Sequence, residues 1–136
     1  MTDIEKLAAR VAALTGPCRE TDAEIAVVAL GWITRPPRYD GDSIAYGYVE
    51  NGSTVFPGNG AGNSLVRRYT ASLDAAMTLV PKGEEWGVSQ VHYDQGMAPA
   101  AFVNLSLEQS WGKTPALALT AASLRALAAQ EKEQDA

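Results

Sequence analysis

At 136 residues, 46% of them hydrophobic and 20% charged, the chain has the length of one ordinary domain and enough apolar material to bury a core unaided. A single cysteine, Cys18, and a single histidine, His92, exclude an internal disulfide and a Cys/His zinc cluster. The net charge is −5, with eight acidic and four basic side chains in residues 72–136, so the phosphate field repels the chain and nucleic acid is an unfavoured partner.

The opening "MTDIEKLAARVAALTG" spaces Ile4, Leu7, Ala8, Val11 and Leu14 onto one helical face, and Gly16-Pro17 ends the run. It mixes both charge signs and does not read as a signal peptide, and no apolar run approaches the ~20 residues of a membrane span. A cytoplasmic protein is expected. Thr21-Asp22 offers an N-cap for "AEIAVVALG", a short helix ending at Gly31.

Residues 31–68 change character. Gly41, Gly47, Gly52, Gly58, Gly60 and Gly62, with Pro36, Pro37 and Pro57, forbid a mainly helical segment. Within "SIAYGYVENGSTVF", Asn51-Gly52 separates two strand-like runs and predicts a type I′ hairpin with Tyr48 opposite Val55, so that Ile44, Tyr46 and Tyr48 share a face. "PGNGAGNS" follows as a loop.

"YTASLDAAMTLVP" restores helical spacing, with Leu73, Ala76, Met77 and Val80 on one face, Thr70 or Ser72 as cap and Pro81 as stop. Two strands come next, Trp86 to Tyr93 and Ala100 to Leu107, joined around Gln95-Gly96. The closing "TPALALTAASLRALAAQEKEQDA" is a long helix with Leu117, Ala121, Leu124 and Ala128 in register. Helix, helix, hairpin, helix, hairpin, helix makes an α+β domain with helices covering a small antiparallel sheet. The expectation is one domain over 1–136, with 39–68 as a hairpin and Gly-rich loop insertion.

Chemistry is sparse. "SWGKTPALAL" ends like a P-loop, but Leu107 stands where its first glycine is needed, so Thr114 reads as a helix cap with Pro115 at the first helical position. "GNGAGN" at 58–63 has Asn63 where the dinucleotide fingerprint needs glycine. His92 has no G-x-S-x-G partner, and Cys18 has no catalytic companion. Asp40/Asp42 lack the further ligands of a calcium loop, and Glu84-Glu85 lie at a strand entrance, where charged residues are ordinary. The reading is therefore not an enzyme, with no cofactor. Tyr39, Tyr46, Tyr48 and Tyr69, with Arg67 and Arg68, cluster in or beside the glycine-rich middle. Tyrosine and arginine dominate binding hot spots, so these six are candidate binding residues, with core packing under the hairpin as the alternative for the tyrosines.

"LTGPCRETDAEIAVVALGW", "YTASLDAAMTLVP", "EEWGVS" and "TPALALTAASLRALAA" together resemble the phage ABA sandwich domain, a family of small phage and prophage proteins. The likeness spans about 1–32 and 69–129, and the segment 39–68 departs from it. It implies a layered α-β-α sandwich and a phage origin, and it carries no catalytic or ligand role to any residue. The function this implies is a phage or prophage accessory protein in a host bacterial cell, acting by binding a host or phage protein. Inhibition of a bacterial anti-phage defence system is the sharper form, a homo-oligomer is compatible with it, and small-ligand binding or sequestration is the alternative.

Overall fold

The computed structural model describes residues 2–31, 33–35, 54–56, 66–93, 96–104 and 108–135. The chain is of the α+β class; its described residues form four helices and a small three-stranded antiparallel sheet, with helices packed on strands. It divides into two compact units, residues 1–17 with 69–136, and residues 18–68. The second unit begins at Cys18, so it is larger than the insertion expected from the sequence.

In the first unit, α1 (Asp3–Ala13) buries Ile4, Leu7, Ala8 and Val11. The fifth expected member of that face, Leu14, is the half-buried C-cap residue. The helix starts with a capping box: the Glu5 N–H donates to Thr2 Oγ1 at 3.2 Å, and the Thr2 hydroxyl donates back to the Glu5 carboxylate at 3.3 Å. A short helix, α3 (Leu73–Met77), follows the buried Tyr69-Thr70 turn and is capped by Ser72, whose Oγ accepts the Ala75 N–H at 3.2 Å. The sequence predicts a longer helix buried through Leu73, Ala76, Met77 and Val80. Instead the Leu79 and Val80 N–H groups reach back only three residues. The tighter turn after Met77 brings Leu79 in line with the buried Ala76, while Leu73 and Met77 are exposed.

The sheet runs in the order β3-β4-β5, all antiparallel. Strand β3 (Trp86–Tyr93) pairs with β4 (Gly96–Val103) from Trp86 opposite Val103 to Tyr93 opposite Gly96. β4 begins four residues earlier than expected and stops at Asn104, whose φ of 70° turns the chain away. β5 (Ser110–Trp111) was not foreseen; it sets Ser110 opposite Ala101 and Trp111 opposite Ala100. Gly87 has no side chain to pack, and the Phe102 ring from the paired strand fills its place, 2.6 Å from where a Cβ would stand.

The last helix, α4 (Pro115–Asp135), is buried at every position from Ala116 to Leu124, as an apolar-all-round helix must be. One face packs on Val88, Ala101 and Val103 of the sheet and on Ala76 of α3, and another packs against α1. Its cap is the expected one, Thr114 Oγ1 accepting the Leu117 N–H at 3.2 Å, with Pro115 in the first turn where a missing N–H costs nothing.

In the second unit, α2 (Arg19–Leu30) ends on Gly31 in the left-handed conformation, φ 75°, as its sequence predicts. Its N-terminus is corrected: the cap position is Cys18, and Thr21 and Asp22 lie buried inside the helix. Cap-type residues within a first turn mimic a start signal when burial is unknown. Strand β1 (Ile33–Arg35) pairs antiparallel with β2 (Thr54–Phe56), with Ile33 opposite Phe56. The expected Asn51-Gly52 turn lies outside the described residues.

Candidate binding cleft

Because β5 stops after two residues, a notch opens along β4. Pro99 explains the stop. Its carbonyl faces the β5 side and accepts the Gly112 N–H at 3.3 Å, and on that same side it has no N–H to return. Strand pairing fails there, and the chain turns through Gly112 and Lys113 into α4. Gly112 makes that turn possible by running against the helix backbone, where a Cβ would stand 2.6 Å from the Ala118 nitrogen.

The notch is a cleft of about 560 Å³ walled by Met97, Ala98 and Pro99 of β4, Trp111 of β5, the Gly112-Lys113 turn and Ala12 of α1. A smaller recess of about 330 Å³ shares Ala12 and Trp111 with it and continues along α1 to Glu5 and Arg125. Met97 is 52% exposed and Trp111 43% exposed, and both of these large apolar residues line the cleft.

The charges around it differ in their commitments. Arg125 donates to Ser110 Oγ at 3.0 Å and to the Gln109 carbonyl at 3.3 Å, with Glu108 at 3.9 Å. Glu5 holds Lys132 at 2.8 Å, and that ammonium keeps the Glu5 carboxyl below its ordinary pKa. Lys113 is exposed, and among the described residues no acidic group pairs with it. Among the described residues, the cleft therefore offers apolar contact and one uncommitted cation, Lys113. No group of three His, Cys, Asp or Glu among the described residues could hold a metal ion, and none of their helices is long and apolar enough to cross a membrane.

Of the six binding candidates read from the sequence, Tyr39, Tyr46 and Tyr48 lie outside the described residues. Arg67 and Arg68 are exposed. Tyr69 is 2% exposed, in keeping with the core-packing alternative for the tyrosines, and its backbone carbonyl accepts the buried Thr120 hydroxyl at 2.9 Å. Arg67 and Arg68 follow an anchored segment. The Arg19 guanidinium donates to the Val66 carbonyl, to the Arg67 carbonyl at 3.0 Å and to Asp22 Oδ2 at 3.2 Å. His92 sits on β3 opposite Met97, and its side chain lies outside the described residues, as do Asp40, Asp42 and the 58–63 loop.

Sequence reasoning missed the cleft although it quoted Trp111, Gly112 and Lys113. The available signal was Pro99 beside an apolar run, since a proline inside a sheet marks a place where a neighbouring strand ends. No family model matches the chain, and neither the curated proteins nor the solved structures contain a match. The likeness to the phage ABA sandwich domain therefore rests on its sequence motifs alone.

Proposed function

We propose that this chain is a non-enzymatic phage or prophage accessory protein that acts inside a host bacterial cell by binding another protein through the Trp111–Met97 cleft. The observation that carries the reading is that these two large, exposed apolar residues line one opening. Contiguous exposed apolar surface marks interaction sites, and Trp and Met are enriched there. Inhibition of an anti-phage defence system is the sharper form, motivated by the phage-like motifs. Arg67 and Arg68 are further candidate contacts.

Affinity capture from host cells tests it. The wild-type chain should retain one defined partner, and Trp111→Ser and Met97→Ser should lose it while remaining folded. A partner held equally by wild type and both variants would sink the cleft reading. Small-ligand binding is the second reading, favoured by a cleft volume of about 560 Å³, within the range of about 300–1,000 Å³ common for ligand sites. A metabolite that raises the Tm of the wild type and not of Trp111→Ser would favour it over a protein partner.

A further inference from the structure

Resting on the reading of the cleft as a protein-binding surface, we infer that its occupant is a short acidic peptide segment of the partner, anchored by an apolar side chain against Trp111 and Met97, with a carboxylate on Lys113. The chemistry follows from what the walls can and cannot give. Apolar side chains from β4, β5 and α1 supply a floor for one or two buried aliphatic or aromatic groups. Lys113 is the one charged side chain among the described residues lining the cleft, and no described acid neutralises it, in a chain whose net charge is −5. The other charges nearby are engaged, Glu5 with Lys132 and Arg125 with Ser110 and Glu108. A basic segment would meet Lys113 as a like charge, and the acidic chain beyond would not offset that contact at short range.

Addition of a strand to β4 is a poor mode of binding here. Pro99 has no N–H to give, and its carbonyl is taken by Gly112. Recognition thus falls to side chains, and affinity should divide into an apolar part that is insensitive to salt and a smaller ionic part that is not. An exposed ion pair contributes about 0.2–1 kcal/mol, so Lys113→Ala should weaken binding by roughly 1.4- to fivefold. Loss of an aromatic anchor costs about 2 kcal/mol or more, so Trp111→Ser should weaken it roughly thirtyfold.

A random heptapeptide display library selected on the full-length chain near physiological ionic strength, where the charge of the rest of the chain is screened, is the test. The expected peptides carry an apolar residue beside Asp or Glu, depend on Trp111 and Met97, and lose affinity as salt rises. Selection on Lys113→Glu should replace the acidic residue by Lys or Arg. Thermal melts establish that each variant is folded, and Trp111→Phe, which keeps an aromatic ring, should keep most of the binding. Peptides that need Trp111 but are uncharged or basic, or that are indifferent to Lys113→Glu, would overturn the acidic occupant and leave the cleft reading intact. Failure to recover any peptide sensitive to Trp111→Ser or Met97→Ser would overturn both.

Discussion

Gly112 and Ala118 approach so closely that a Cβ on Gly112 would stand 2.6 Å from the Ala118 nitrogen and 2.9 Å from the Leu117 carbonyl carbon. Helix backbone cannot yield there as a flexible side chain would. Gly112→Ala should therefore cost about 1–3 kcal/mol, the usual range for overpacking, read as a lower urea midpoint. Gly16, which has nothing within 4 Å of the same construction, is the control, and Gly16→Ala should leave the midpoint nearly unchanged. Equal midpoints for the two variants would show that the turn between β5 and α4 has slack.

Two buried hydroxyls on α4 should respond in opposite directions. Thr120 donates to the Tyr69 carbonyl at 2.9 Å, while Ser123, equally buried, has no hydrogen-bond partner. Thr120→Val leaves a buried carbonyl without its donor and should cost about 1–3 kcal/mol. Ser123→Ala removes an unsatisfied group and should be neutral or stabilising. Denaturant titration of both variants checks the pair.

Arg19 closes three acceptors of the second unit with one planar fork. Arg19→Ala should lower stability by about 1.5–3 kcal/mol, the range for hydrogen bonds to charged groups. Arg19→Lys should not rescue it, because an ammonium lacks the forked geometry. Hydrogen exchange should locate the loss at residues 66–68. Full rescue by lysine would reduce the clamp to a simple ion pair.

The Glu5–Lys132 contact joins α1 to α4 and carries a pH signature. The hydrogen bond from Lys132 is the main cause of the lowered Glu5 pKa, with desolvation acting against it and Thr2 adding to it. Folding thus favours the ionised carboxylate. Its stabilisation is complete above the ordinary glutamate range and is lost as pH falls through the lowered value. Urea midpoints measured from neutral pH downward should fall less steeply for Lys132→Ala than for wild type, and high salt should narrow the gap. Parallel curves at low salt would contradict this.

The fold was legible where periodicity is long and punctuation is sharp. The spacing of Ile4, Leu7, Ala8 and Val11 gave α1 its buried face, Thr114-Pro115 marked the start of α4, and Gly31 marked the end of α2. It was illegible where short signals compete. Thr21-Asp22 resembles a cap but is interior, and β5 has only two residues, too few for alternation to register. The binding site suffered from the same problem. Tyr69 looked exposed because its segment is polar, whereas the turn before α3 buries it. Trp111 and Met97 stand 14 positions apart in sequence, and only the fold, which pairs β5 with β4, makes both of them line one cleft.

Site-specific photo-crosslinking tests the proposed binding surface most directly. The substitution Met97→p-benzoylphenylalanine places the reactive group on the wall of the cleft, and the same substitution at the exposed Ser89 of β3 serves as comparison. In host cells the account predicts one discrete adduct from position 97, abolished by Trp111→Ser, and none from position 89. An adduct from position 89 alone, or a position-97 adduct that survives Trp111→Ser, would contradict it.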